Sequence, residues 1–322
     1  MNSSAGPHDE QIPVVAIVGP TGVGKTELAV MLARDWSIEA VSVDSRQVYR
    51  RMDIGTGKPS VAERRALAHH LLDVAEPDEP YDAARFAREA AAAITGIRAG
   101  GHWPVLVGGT GLYLRALVRG LAPLPPADPE LRRRLRAEAV AEGAPALYQR
   151  LAALDPESAA RVHPRDLVRV TRALEVGLLS GRPASALRRG PWRDGTGRYR
   201  LVTLGLTMGR EALYARLDAR VERMLADGLL AEVEGLLAAG FAPDLPAMQG
   251  IGYRHLLPVL RRGAPLADAV RAMKRDTRRY AKRQWTWFGH EPDVQWVSVD
   301  PADPGTATDQ VKKLIERAGI FG

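Results

Sequence analysis

The chain has 322 residues, 46% hydrophobic and 26% charged, enough to bury a substantial core and well outside the disordered range; this length favours two domains, or one domain carrying an insertion. Cysteine is absent, which excludes disulfides, thiolate zinc sites and cysteine nucleophiles, and the seven histidines show no metal-ligand pairing. A formal net charge of +7 points to an anionic partner (phosphates, nucleic acid or anionic lipid), and residues 271–283 hold seven Lys/Arg against the single acid Asp276.

The first residues, MNSSAGPHDEQIP, are polar and lack the basic start and apolar run of a signal peptide. No stretch approaches the roughly 18 uncharged apolar residues of a membrane span. Residues 1–12 therefore read as a flexible tail, with no membrane association and the cytoplasm as the default compartment. VVAIV, residues 14–18, reads as a buried parallel strand, followed by the glycine loop GPTGVGKT and a helix over 26–36. AVSV, residues 40–43, is a second strand ending at Asp44, residues 83–93 are an alanine-rich helix, and VLV, residues 105–107, is a third strand running into Gly108, Gly109, Thr110 and Gly111. Strand, helix and strand with glycines at the strand ends predict an α/β sheet whose ligands sit at its carboxyl edge.

APLPPADPE, residues 122–130, is a proline-rich connector. Beyond it come Arg/Ala/Leu/Glu-rich segments at helical spacing, with stops at Pro145, Pro156, Pro164 and Gly181. GPWRDGTGRYR, residues 190–200, reads as a flexible loop, and LVTLGL, residues 201–206, resumes a strand. Residues 122–200 are thus expected to form a helical insertion in a core made of 13–121 and 201–322. Residues 210–239 and 266–288 read as helices, and VQWVSV, residues 294–299, as a late strand.

GPTGVGKT fits a phosphate-binding loop. Its glycines let backbone N–H groups point inward, the following helix contributes a positive dipole end, Lys25 reaches phosphate oxygens and Thr26 can hold Mg²⁺. The pattern identifies a polyphosphate, not which one. In DSRQVYR, residues 44–50, Asp44 fits three roles: the Mg²⁺-holding acid of a nucleotide triphosphatase, a base for an incoming nucleophile, or a helix cap. GGTGLY, residues 108–113, offers close backbone approach and the Thr110 hydroxyl. His69 and His70, being adjacent, project differently and lack a carboxylate at a suitable spacing, which makes them structural or substrate-positioning.

On a helix, Arg275, Arg278, Arg279 and Lys282 form one cationic face, while Tyr280, Gln284 and Trp287 share another. Cations follow a phosphate backbone and aromatics stack on unpaired bases. The competing reading is a solvated helix with a tryptophan-capped core face.

GPTGVGKT, DSRQVYRRMDIGTGKP, HHLLDV, GGTGLY, QGIGYR and TRRYAKRQWTWF stand in this order over about residues 14–290. Together they make the chain similar to the bacterial tRNA dimethylallyltransferase family, also called tRNA isopentenyltransferases. The resemblance implies an α/β fold, a P-loop NTPase-like parallel sheet flanked by helices, with a mostly helical insertion domain. It implies transfer of a dimethylallyl group from dimethylallyl diphosphate to N6 of adenosine 37 in the tRNA anticodon stem-loop, with Mg²⁺ as cofactor; a monomer is the expected working unit, which the sequence itself does not reveal.

On matching positions, Gly19, Pro20, Thr21, Gly22, Val23, Gly24, Lys25 and Thr26 would cradle the diphosphate, Thr26 lying near Mg²⁺, and Arg220 or Arg216 would help to stabilise the leaving group. Thr21 would bond the bridging oxygen, and Asp44 would accept the proton of the adenine amine, beside Ser45, Arg46 and Gln47. The tRNA contacts would fall at Thr110, Arg132, Val168, Arg169, Val170, Thr171 and Arg172, at Gln249, Gly250, Ile251, Gly252, Tyr253 and Arg254, and at Lys282, Arg283, Gln284, Trp285, Thr286, Trp287, Phe288 and Gly289.

Three alternatives use the same loop or basic face: an isopentenyltransferase acting on free adenine nucleotides, a small-molecule kinase, and an RNA-binding protein without enzymatic activity. The extended cationic-aromatic segment and the helical insertion speak against the first of these.

Overall fold

The computed structural model of the protein describes residues 11–189 and 197–321. The chain divides into two compact units, Met1–Val118 with Gly197–Gly322, and Arg119–Thr196.

The first unit is built on a six-stranded sheet. Its elements are β1 (Ile12–Val18), α1 (Lys25–Leu32), β2 (Ile38–Val43), α2 (Val61–Ala66), β3 (His69–His70), α3 (Ala83–Ala99), β4 (Trp103–Gly108) and α4 (Gly111–Arg119). The second unit carries α5 (Pro129–Ala141), α6 (Ala144–Leu154), α7 (Pro156–Arg161), α8 (Leu167–Ser180) and α9 (Ala184–Leu187). The first unit then resumes with β5 (Tyr199–Thr207), α10 (Arg210–Ala226), α11 (Leu229–Ala238), α12 (Tyr253–Arg262), α13 (Leu266–Gly289), β6 (Val294–Ser298) and α14 (Pro304–Ala318).

Strand order is β3-β2-β4-β1-β5-β6, and every pairing is parallel. All carboxyl ends therefore lie along one edge. β1 is central, with Ile17 beside Val107 of β4 and Leu204 of β5, and its uninterrupted apolar run is what a strand covered on both faces requires. Successive side chains leave a strand on opposite faces. Val15 and Ile17 pack with Leu28 and Leu32 of α1 and with Val311 and Ile315 of α14, while Val14, Ala16 and Val18 pack with Phe86 and Ile94 of α3 and Leu117 of α4. A third cluster joins the loop around Val48 and Met52 to α10, α11, α12 and α13.

The helical unit has its own core of Leu131, Leu135, Leu147, Leu151, Val170 and Leu174. Asp128, Asp155 and Asp166 cap the starts of α5, α7 and α8, each accepting a backbone N–H within the first turn.

The α/β sheet with flanking helices expected from sequence is present, with differences at element ends. α1 stops at Leu32 because the N–H groups of Arg34 and Asp35 turn back to the carbonyls three residues earlier, Met31 and Leu32. The helical stretch expected over 210–239 is two helices, parted where Gly228 takes a φ of 100°. β5 begins at Tyr199 rather than Leu201, β6 ends at Ser298, and β3 is a short edge strand that the histidine pair gave no reason to expect. Most of the loop expected over 190–200 lies outside the described residues, as do residues 1–10 of the expected tail; Ile12 of that tail starts β1.

Candidate active site

β1, β4 and β2 lie side by side and deliver three loops to the carboxyl edge. The loop after β1 enters α1, whose N-cap Gly24 makes no side-chain hydrogen bond. The free N–H groups and the dipole of that first turn are therefore directed at whatever fills the loop. Lys25 folds back over it, its Nζ donating to the carbonyls of Gly19 (3.0 Å) and Pro20 (2.8 Å). Burial pulls its ammonium down to about 8, against the charge of Asp44, which favours the protonated form; the neighbouring Arg220 adds to the lowering. Burial likewise holds the Arg220 guanidinium below its ordinary range.

At the end of β2, Asp44 Oδ1 accepts the backbone N–H groups of Arg46 (2.8 Å) and Gln47 (3.3 Å), forming a tight turn. Among the described residues, Asp44 Oδ2 has no protein donor. One oxygen fixes the turn and the other is open to a ligand. The turn is tied to the third loop by Ser45 N–H donating to Thr110 Oγ1 (3.1 Å). Gln47 is held from both ends, accepting from Ser42 Oγ (2.9 Å) and donating from Nε2 to the Gly57 carbonyl (3.1 Å). The Arg46 guanidinium donates to the Pro246 carbonyl (2.6 Å).

Two cavities open on these loops. The smaller, about 120 Å³, is lined by Lys25, Thr26, Gln47, Arg216, Arg220 and Arg223, among others; Arg216 is paired to Glu27 at 2.6 Å. The larger, about 230 Å³, mixes Val221, Met224, Met273 and Ile251 with the polar Ser45, Arg46, Gln249, Arg254 and Arg283. Thr21, Asp44, Thr56 and Arg220 line both. A cationic cradle and an amphipathic chamber thus meet at one carboxylate. Tyr280 lines the chamber, and burial together with the charge of Asp44 pushes its phenol up, keeping it a neutral donor.

Gln284 of α13 is 4% exposed and turned inward: its Oε1 accepts Thr21 N–H (2.7 Å) and its Nε2 donates to the Gly109 carbonyl (3.0 Å). Gly109 has to lack a side chain, because a Cβ there would lie 2.0 Å from Gln284 Nε2. Trp285 Nε1 donates to Thr207 Oγ1 (3.0 Å), Trp287 packs on Gly111 beneath the Arg115 guanidinium, and Phe288 is buried. Lys282, Arg283, Thr286 and Gly289 face outward.

The cationic face of α13 is partly neutralised: Arg278 pairs with Asp218, Lys274 with Glu222, and Arg275 and Arg279 with Asp276. Lys282 and Arg283 make no ion pair among the described residues. Gly250, Ile251, Tyr253 and Arg254 line the larger chamber with Gln249, and Gly252 N–H donates to His255 Nδ1 (3.3 Å).

In the helical unit, Val168 and Arg169 are exposed, whereas Val170 and Thr171 are buried. Arg132 and Arg172 close on the fully buried Glu175, Arg132 by a fork of two 2.9 Å bonds and Arg172 by one of 2.5 Å. Their bonds hold the Glu175 carboxyl below its ordinary value against the opposing effect of burial. His70 Nε2 meets Glu39 Oε2 at 2.5 Å, a partner 31 residues away that local spacing does not reveal. No group of three His, Cys, Asp or Glu side chains among the described residues could hold a metal.

The segment 52–58 carries no assigned role in the sequence beyond its place in DSRQVYRRMDIGTGKP, yet Gly55, Thr56 and Gly57 line the cavities. Its glycine pair was the available signal. Glu232 of α11, which accepts three backbone N–H groups from this segment, lies in no motif.

A parallel sheet with a glycine loop and buried lysine at the end of its central strand, and a cationic cradle joined to a chamber at one carboxylate, defines a P-loop-type transferase. A family model described as IPP transferase matches residues 47–291, and one described as isopentenyl transferase matches residues 12–78. A tRNA dimethylallyltransferase of Syntrophobacter fumaroxidans is 49% identical over 91% of this chain and 84% of its own. The solved tRNA isopentenylpyrophosphate transferase of Bacillus halodurans superposes with a TM-score of 0.69 at 38% identity, over 96% of this chain and 98% of its own. A eukaryotic dimethylallyltransferase, solved in a study of its action on tRNA, superposes with a TM-score of 0.76 at 30% identity, over 96% of this chain and 80% of its own. The chain belongs to the tRNA dimethylallyltransferase family and is a prenyltransferase.

Proposed function

We propose that the protein transfers the dimethylallyl group of dimethylallyl diphosphate to N6 of adenosine 37 in the tRNA anticodon loop. The observation that carries this reading is the junction of the two cavities at Thr21, Asp44, Thr56 and Arg220. The diphosphate occupies the smaller cavity, where Lys25, Arg220 and the open N–H groups of α1 face it. The extruded base and the allylic carbon meet at the mouth of the larger.

N6 attacks the allylic C1 as the C1–O bond to diphosphate breaks, and the leaving group departs with that electron pair. An exocyclic amine is a weak nucleophile, so stabilising the departing charge is the main task; fixed donors in a low-dielectric cleft do this without reorganising. The Thr21 hydroxyl is assigned to the bridging oxygen. Asp44, with Oδ1 committed to its turn, presents Oδ2 to the amine and accepts its proton as the C–N bond forms.

Mg²⁺ fits the smaller cavity, where Thr26 would supply a hydroxyl ligand and Asp44 and Glu27 line the same space. When bound it adds neutralising charge to the diphosphate.

Extruding the base costs a few kcal/mol, which contacts from Arg46, Gln249, Arg254 and Arg283 at the chamber offset. The outward cation Lys282, and Arg169 of the helical unit, are assigned to tRNA phosphates.

Incubation with tRNA, dimethylallyl diphosphate and Mg²⁺, followed by mass spectrometry of the anticodon-loop adenosine, should give a prenylated base and one equivalent of diphosphate without ATP. Equal turnover of AMP would move the acceptor to free nucleotides, and ATP-dependent phosphorylation would sink the reading.

A further inference from the structure

Arg220 lines both cavities, and among the described residues its guanidinium makes no ion pair or hydrogen bond. Packing sets its position. Gly57, at φ +60°, offers bare backbone to the guanidinium, and a Cβ there would lie 1.6 Å from Arg220 Nη2. Where Arg220 points thus depends on where the segment 52–58 sits.

That segment consists of turns and is anchored at two places. Near its end, Lys58, with a side chain 2% exposed, donates to the Tyr49 carbonyl (2.6 Å), Asp53 Oδ1 (2.6 Å) and Asp73 Oδ1 (2.5 Å). In its middle, Glu232 of α11 receives the successive N–H groups of Asp53 (2.8 Å), Ile54 (2.7 Å) and Gly55 (3.0 Å). The Tyr253 hydroxyl donates to the same carboxylate at 2.5 Å, its ring lying so close to Gly55 that a Cβ would come within 2.5 Å of it. A carboxylate has roughly four acceptor positions, so these four donors saturate it. Successive backbone N–H groups converging on one anion form a nest, here filled by a side chain instead of a ligand.

We infer that Glu232 is a positioning residue for prenyl transfer: with Tyr253 it fixes the segment 53–57, and through Gly57 it seats Arg220 against the diphosphate. This rests on the proposed placement of the diphosphate beside Arg220. Glu232 touches neither cavity and acts only through the segment it holds. A latch serving stability alone would lower the amount of folded protein without changing what the folded protein binds.

The test is a double-mutant cycle read by calorimetric binding of inorganic diphosphate to the wild type, Glu232→Gln, Arg220→Ala and the double variant. Glutamine keeps the shape but turns one acceptor oxygen into an amide that faces backbone donors. Glu232→Gln should weaken diphosphate binding about tenfold and raise the donor KM, with tRNA affinity within about twofold of wild type. In the Arg220→Ala background the same change should add less than about twofold, because the effect travels through Arg220.

Tyr253→Phe, which removes one of the four donors, should give a smaller change of the same sign and carries the same cycle if Glu232→Gln does not fold. A folded Glu232→Gln with unchanged diphosphate affinity, or additive effects in the double variant, overturns the inference alone. A wild-type protein that fails to bind diphosphate overturns the functional reading and this inference with it.

Discussion

The protein handles buried charge in two opposite ways. In the helical unit, Arg132 and Arg172 close on Glu175, whose remaining acceptor capacity takes the Asp128 N–H at 2.7 Å; every charge there is answered from within. At the sheet edge, among the described residues, Lys25 donates to two carbonyls and has no ion pair, Arg220 has no partner, and one oxygen of Asp44 is open. The first cluster is complete without a ligand. The second carries a desolvation cost that an anion relieves, visible in the lowered pKa of Lys25. Unanswered charge, more than charge itself, separates a site from a brace.

The sharpest way to break this contrast is Asp44→Ala. Losing the open carboxylate should lower turnover by roughly 10³–10⁴-fold with tRNA binding retained, measured by single-turnover prenylation and filter binding. Near-normal turnover would remove Asp44 as the proton acceptor.

Glu175→Gln should behave inversely. It should destabilise the helical unit by about 3 kcal/mol in denaturant titration, since two arginines lose their counter-charge, and leave diphosphate affinity unchanged.

Lys25→Ala should cost about 10²-fold in turnover without lowering the melting temperature, because it removes a buried charge that has no ion pair. A large fall in melting temperature would make Lys25 part of the brace.

The two regions should also part in pH. Only the protonated Lys25 attracts diphosphate, so its affinity for the free enzyme should hold below about 8 and fall as pH rises through that value, by up to about tenfold per pH unit. Glu175 has the opposite sign. Its carboxyl is held down in the folded state, so its stabilisation is complete above the ordinary value of 4.5 and is lost as pH falls below it. Calorimetry with diphosphate and melting curves across both ranges check the pair.

The smallest effect is expected from Lys282→Ala, which should reduce the salt dependence of tRNA binding by about one counterion while leaving diphosphate binding intact. An unchanged slope would show that Lys282 does not meet a phosphate.

Much of the sheet was legible because apolar runs ending in glycine carry both the strand and its ligand edge, as in VVAIV before GPTGVGKT. Asp44 was legible as a site residue from its place at a strand end, although its dual use, one oxygen for the turn and one for a ligand, needs coordinates. Aromatics beside cations in RQWTWF fit either a stacking platform or a tryptophan-capped core face, and the indole N–H of Trp285, answered by Thr207 78 residues away, agrees with the second. Helical spacing groups Tyr280, Gln284 and Trp287 on one face and leaves open whether that face stacks on bases or caps the core; Gln284 is turned into the protein. The cations of α13 counted as free charge in the sequence, while Asp218 and Glu222, on a different helix, neutralise Arg278 and Lys274. Glu232 illustrates the same limit, since its backbone partners lie 177 to 179 residues away and nothing local marks it.

Gln284 has a further consequence for the sheet. β1 and β4 run side by side through Ile17 and Val107, and beyond that register the Gln284 side chain joins Thr21 to Gly109. The carboxamide of Gln284 takes the place of a peptide group there, accepting from one strand's extension and donating to the other's. It bridges the two loops as a backbone amide would. Because an amide has one accepting and one donating end, this rung fits in a single orientation, and a carboxylate or thioether of the same length would break it.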